Sequence, residues 1–280
     1  MMDPNRLWAK SKRAGEDELP SMFLTTHLAD AYACASKVLD ATGDDQLRAV
    51  GLAVASYRPR LDRCVRLAAA LHDLGKANDH FQGMIRGQRD VRTNPQGLRH
   101  EWVTILMISQ LRSWLLPALA GHESDLAIVE WAIAGHHPAF SHESPPTSTP
   151  YGSGVEIQLF LGHHDFAAAL EWLGATFGLG PNPQLGSTTL TLGESGNAIA
   201  ALSEWKVTAA RVWDRLKRSH EARLVPAVKS CLIAADVAGS ALPKAKPGDA
   251  DRWSWIDRAF ADQPKPGDLQ AVVDFRLEDA

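Results

Sequence analysis

The sequence is short of several things, and each shortage closes off a class of protein. It has three cysteines in 280 residues, Cys34, Cys64 and Cys231, with no CxxC pair. That excludes a disulfide framework, and each thiol sits in an apolar helical context suited to burial in a reduced compartment. Aromatics make up 7%, and alternating strand-like runs are nearly absent, which argues against a sandwich or barrel. No run reaches the roughly 18 consecutive apolar residues of a membrane span. The opening MMDPNRLWAKSKR also lacks the apolar centre of a signal peptide, so the expected location is cytoplasmic. There is no excess of positive charge. Twenty-nine Lys and Arg against 33 Asp and Glu give a formal charge of −4, so any nucleic-acid binding falls to a local patch. The P-loop pattern GxxxxGK[ST] is missing as well.

What is there is ordinary globular composition, 45% hydrophobic and 22% charged, with 21 Gly and 16 Pro. Apolar residues recur at three- and four-residue spacing. The spacing predicts helices over 28–40, 45–56, 59–75, 78–87, 100–116, 124–137, 163–175, 198–219, 223–240 and 251–261. The expected fold class is therefore all-α, a helical bundle with long loops and little or no strand. Only Ser187–Leu192 (STTLTL) looks strand-like, and it is too short to make a sheet. Segments 138–154 and 176–197, rich in Pro, Ser and Gly, are expected to be surface loops, the first bordering a site because it follows a His-His pair.

The informative residues are polar ones on apolar helix faces. Leu61, Val65, Ala68 and His72 fall at i, i+4, i+7 and i+11, with Asp73 next, in LAAALHDLGKANDHFQ. His27 and His100 open apolar helices, and His136 and His137 continue the apolar rows of SDLAIVEWAIAGHH. Asp236 follows Val228 and Leu232 on one stripe. Five such helix segments placing imidazoles and carboxylates toward a core need a common partner, because each alone is costly to bury. Neutral imidazole with carboxylate suits Mn, Fe, Co, Ni or Zn. The absence of nearby Cys points to a hydrolytic site with open positions rather than a structural zinc.

The ordered set His27, His72-Asp73, His100, His136-His137 and Asp236 resembles the HD metal-dependent phosphohydrolase superfamily. More narrowly, HDLGKANDHFQ is similar to the HDxGKxxxxFQ signature of the HD nuclease domain of the CRISPR type I helicase-nuclease. The closing ADVAGS resembles that family's ADxxGS helix. The resemblance implies an HD nuclease domain over 1–262, with its core at about 20–240. Residues 263–280 would then be a tail or linker towards a helicase domain absent from this chain.

It further implies a metal-dependent endonuclease cutting single-stranded DNA in CRISPR type I interference, on the strand displaced by a crRNA-guided complex. Helicase action would come from another domain or chain. An HD phosphohydrolase acting on nucleotides or cyclic nucleotides is the alternative. Carried over by position, His27, His72, Asp73 and Asp236 would hold one of two divalent transition-metal ions (Mn, Ni, Co or Fe). Asp73, His100, His136 and His137 would hold the second, with Asp73 bridging, and Lys76, one helical turn from His72, is expected to steady the phosphate or the developing charge.

For the nucleic acid, Arg86, Arg89, Arg92 and Arg99, between the HD helix and His100, are the expected phosphate-tracking edge. A second cluster, Arg211, Arg215, Lys217, Arg218 and Arg223, reads as a solvated face or a protein contact. His80, His122, His142 and His220 are expected at the surface, and Gly-His-His-Asp at 162–165 is expected to be a bystander. Glu101 is expected to be a charge favouring a helix start. Trp8, Trp102, Trp114, Trp131, Trp205 and Trp213 are expected in the core, while Trp253 or Trp255 is free to meet a partner.

Overall fold

A computed structural model describes residues 5–12, 15, 17–89, 97–137, 155–186, 188–193 and 196–261. Loop 138–154, the tail from residue 262, Arg92 and His142 lie outside the described residues. The described part is all-α apart from one small ribbon. Its helices are α1 (Leu24–Ala49), α2 (Val54–Leu71), α3 (Asp79–Ile85), α4 (His100–Leu115), α5 (Glu123–Ala134), α6 (His164–Phe177), α7 (Asn197–Arg218), α8 (Leu224–Ala245) and α9 (Ser254–Ala261). Strands β1 (Glu156–Gln158) and β2 (Thr189–Thr191) pair antiparallel, with Ile157 opposite Leu190. The strand-like run at 187–192 thus finds a partner that periodicity did not mark. The ribbon leans on the HD turn, since Phe160 N donates to Ala77 O at 2.9 Å.

Several predicted boundaries move. The helices expected at 28–40 and 45–56 are largely one helix, α1, because Gly43 does not interrupt it. The Arg58 guanidinium lies 3.0 Å from where a Gly43 Cβ would stand, and it bonds Asp44, Asp62 and Leu39 O. Helix α2 starts at Val54 rather than at Pro59, which stands inside it and gives up one i→i−4 hydrogen bond, to Ala55 O. It ends at Leu71, and the chain turns through a short 3-10 segment, Leu74–Lys76.

The core lies among α1, α2, α4, α5 and α8, whose inward rows are fully buried aliphatics. Helices α1 and α8 pack tightly at Gly239, where a Cβ would fall 2.9 Å from Ala31 backbone atoms. A residue without a side chain is required there, and the close approach brings His27 of α1 beside Asp236 of α8. Helix α5 is tied down by buried charge: Arg60 holds Asp125 at 2.6 Å, and Glu130 accepts from Trp205 Nε1 at 3.0 Å and Arg112 at 3.2 Å. Those anchors set where the following His136 and His137 stand. Among the described residues, two segments, His100–Leu119 and Glu221–Ala245, are long and apolar enough by composition to cross a membrane. Each carries a residue of the cluster described next.

Candidate metal centre

Five segments deliver the imidazoles and carboxylates to one place. His27 comes from the first turns of α1, His72 and Asp73 from the end of α2, His100 from the start of α4, His136 and His137 from just past α5, and Asp236 from mid-α8. Ligand-type atoms of His27, His72, Asp73 and Asp236 lie within 4.8 Å of one another, and so do those of Asp73, His100, His136 and His137. Asp73 belongs to both groups and divides its oxygens between them. Its Oδ2 is 3.0 Å from His27 Nε2 and 3.3 Å from His72 Nε2. Its Oδ1 is 3.2 Å from His100 Nε2 and 4.0 Å from His136 Nε2. Asp236 Oδ1 closes the first group, 3.4 Å from His27 and 3.5 Å from His72.

The ring orientations are set locally. His72 Nδ1 lies 2.9 Å from Ala69 O, and His136 Nδ1 lies 2.6 Å from Ile133 O. Each therefore turns Nε2 to the centre. His100 Nδ1 instead faces the Glu101 carboxylate at 3.4 Å. The HD turn is clamped to α4 by Thr104, whose Oγ1 accepts the Gly75 amide at 2.9 Å and reaches His72 O and His100 O at 3.1 and 2.9 Å.

The electrostatics are those of buried imidazoles and carboxylates held against one another. Burial alone would raise the Asp73 carboxyl, but the His72 and Lys76 charges and the adjoining His100 and His27 imidazoles hold it well below the usual carboxylate range. His72 shows the converse: burial disfavours its charge, yet Asp73 and Asp236 push it up to about 9. Burial, with the neighbouring His72 charge, drives His136 down to about 3. Burial also lowers His27. Meanwhile Nε2 of His27, His72, His100 and His136 and Oδ1 of Asp73 are buried without a directed hydrogen bond. Buried polar atoms without partners are rare and call for an ion or water, and imidazole nitrogens around a shared carboxylate fit a pair of transition-metal ions.

Lys76 is turned into the cluster. It is buried, its Nζ 2.5 Å from Asp73 Oδ2 and 3.1 Å from Ala9 O, so it neutralises the shared carboxylate. Phe81 and Gln82 have distinct duties. The Phe81 ring packs edge-on against His100 at 5.5 Å, while Gln82 exchanges hydrogen bonds with the Trp8 backbone and caps Lys76 O. Gln82 thereby straps the N-terminal segment across the site.

That strap carries a residue sequence reasoning missed: Lys10 Nζ is 3.4 Å from Asp236 Oδ1. Nothing in a WAK tripeptide signals it, because the contact spans the chain.

Other expectations need correction. His80 is buried, not at the surface, and its Nδ1 accepts the Gly97 amide at 3.0 Å. Trp8, by contrast, is fully buried as expected, in an extended bridge to Phe23. In the 162–165 motif, Asp165 accepts from Arg6 and the Leu7 amide, so its oxygens are already used in fixing the strap.

Of the proposed phosphate edge, Arg86 donates to Arg6 O at 2.6 Å and Arg99 pairs with Glu101 at 2.5 Å. Arg89 packs its stem over Gly83. Glu101 is far more than an N-terminal charge. It is buried, and burial, which would raise it, is outweighed by His100 and Arg99. Glu101→Gln is expected to weaken one of two metal-binding events about 10- to 100-fold, as loss of an outer partner does, with the other unchanged. Titration calorimetry reads this directly, and two unaltered affinities would show that Glu101 does not orient His100.

Residues 8–230 match the family model described as Cas3, HD domain. A protein of Myxococcus xanthus (strain DK1622) named "Putative CRISPR-associated nuclease/helicase Cas3" is 34% identical over 278 residues, covering 97% of this chain and 35% of that protein. The chain thus spans about a third of the length of this curated relative. No solved structure matches. With the family model running over most of the sequence and taking in six of the seven cluster residues, all but Asp236, the chain belongs to the Cas3 HD domain family.

Proposed function

We propose that the chain is a metal-dependent endonuclease for single-stranded DNA. In this reading it serves CRISPR type I interference by cutting the strand displaced by a crRNA-guided complex, in the cytoplasm, with a helicase domain or subunit feeding it. The observation that carries the reading is the Asp73 carboxylate, whose two oxygens serve two adjoining His-rich groups. Two divalent ions, when bound, supply Lewis-acid activation of water and stabilise charge on both the attacking and leaving oxygens of a phosphodiester.

The chain's own residues prepare that chemistry. His27, His72 and Asp236 on one side, and His100, His136 and His137 on the other, would hold the ions with Asp73 between them. Lys76 holds Asp73 ionised and fixed, and the Ala69 and Ile133 carbonyls keep His72 and His136 in the tautomer that offers Nε2. His137 is the exposed member of the cluster, so substrate enters on its side. Three buried free thiols, each with its pKa pushed up by burial, accord with a reducing compartment.

The test is incubation of metal-stripped protein with circular single-stranded DNA across Mn, Ni, Co, Fe, Mg and Zn. Linear products that require an added transition metal are expected. Release of phosphate from mononucleotides, with the circle left intact, would instead assign a nucleotide phosphohydrolase.

A further inference from the structure

Outside the metal cluster, a groove of about 510 Å³ opens between α5, α7 and α8. Four tryptophans lead into it. Trp102, two residues past His100, meets Trp205 edge-on at 5.8 Å; Trp205 meets Trp131 at 6.2 Å; and Trp131 stacks on Trp213 at 5.0 Å and 24°. Trp131 and Trp213 are only half-buried where they line the groove. A core assignment fits Trp102 and Trp205, but it does not account for two indoles kept at the surface.

The rim is basic. Lys206, Lys217 and Lys229 line the groove against a single acid, Asp214, and Lys217 Nζ sits 5.5 Å from the Trp213 ring. Partly exposed indoles edged by ammonium groups match a single nucleic-acid strand, whose bases stack on any aromatic face and whose phosphates need cations.

The groove also points at the cluster. Lys229 and Asp236 are seven residues apart on α8, hence on the same helix face about 10 Å apart. Between and beside them lie Ile233, 38% exposed, and Val237, 61% exposed, an open apolar stripe over which bases can pass.

We propose that this groove is a stacking station for single-stranded DNA, holding the bases on Trp131 and Trp213 and the phosphates on Lys206, Lys217 and Lys229, so that the strand runs along α8 to the metal cluster. The proposal rests on the single-stranded DNA reading above.

The test is fluorescence anisotropy of labelled oligodeoxythymidylate with the full chain in EDTA, where nothing is cut. Trp213→Ala is expected to weaken binding roughly tenfold, as loss of one stacking platform does. The combined Lys206→Ala, Lys217→Ala, Lys229→Ala variant alters only the rim, and therefore stands even if the tryptophan variant misfolds. It is expected to make the slope of log affinity against log salt shallower by about 2. Metal titrations of both variants should match the native chain.

Unchanged affinity and slope in the lysine variant, with native binding intact, would overturn the groove alone and mark it as a surface for something other than DNA. A native chain that fails to bind the oligonucleotide would overturn the groove and the substrate reading together.

Discussion

Asp73→Asn is expected to abolish metal binding at both candidate groups at once. The substitution keeps the shape of the side chain but removes the charge that two His-rich groups share through Oδ1 and Oδ2. Loss of an outer partner already costs about 10- to 100-fold in metal affinity, so loss of the shared ligand should exceed about 100-fold at each site. DNA cleavage should vanish with it. Changing Asp236 should instead weaken only the group containing His27 and His72, since Asp236 is absent from the other.

There is a second consequence, in stability. Lys76 is 4% exposed and its ammonium has Asp73 as its counter-ion. Breaking a buried pair by neutralising one member typically costs about 3–5 kcal/mol. Asp73→Asn should therefore also unfold at lower urea concentration than the native metal-free chain, while retaining its helical circular dichroism under native conditions. Combining it with Lys76→Met should recover much of that loss without recovering metal. A variant that still binds two equivalents of Mn would refute the shared-carboxylate arrangement.

Gly75→Ala should be as damaging, for a purely steric reason. A Cβ at Gly75 would fall 2.1 Å from His100 O and 2.5 Å from the Thr104 amide nitrogen. Both are backbone atoms of α4, so no side chain can swing aside. The HD turn and α4 would have to separate, breaking the Gly75–Thr104 hydrogen bond and carrying His100 away from Asp73. A loss above about 4 kcal/mol, at the extreme for point changes, is expected. Any folded fraction should bind metal at the His27 group more normally than at the His100 group. Gly162→Ala is the matched control, because nothing lies within 4 Å of its Cβ position, and a change within about 0.5 kcal/mol is expected. Equal urea midpoints for the two variants would show that the close approach at Gly75 is not needed.

These predictions differ in how far the sequence alone could have reached them. Periodicity placed His72, His136, His137 and Asp236 on apolar rows, and a polar residue on such a row is an anomaly visible without coordinates. Helix type was likewise legible, since long amphipathic rows such as those of α7 and α8 carry their own signal. Exact ends were less so: α1 runs through Gly43 because Arg58, from another helix, packs against it. The pairing of 189–191 with 156–158 was equally hidden, because a three-residue strand has no period to read.

The sequence by itself determined that this protein is helical and that its chemistry lies in imidazoles and carboxylates along apolar faces, because burial cost and helical period act within one segment. Only the tertiary structure decided that Asp73 splits its two oxygens between two groups, that Lys10 and Lys76 neutralise the carboxylates, that Glu101 and His80 are buried, and that two tryptophans stay at a basic surface. Each of these is a contact between segments far apart in the chain, and local patterning carries no record of which distant side chain will supply the counter-charge.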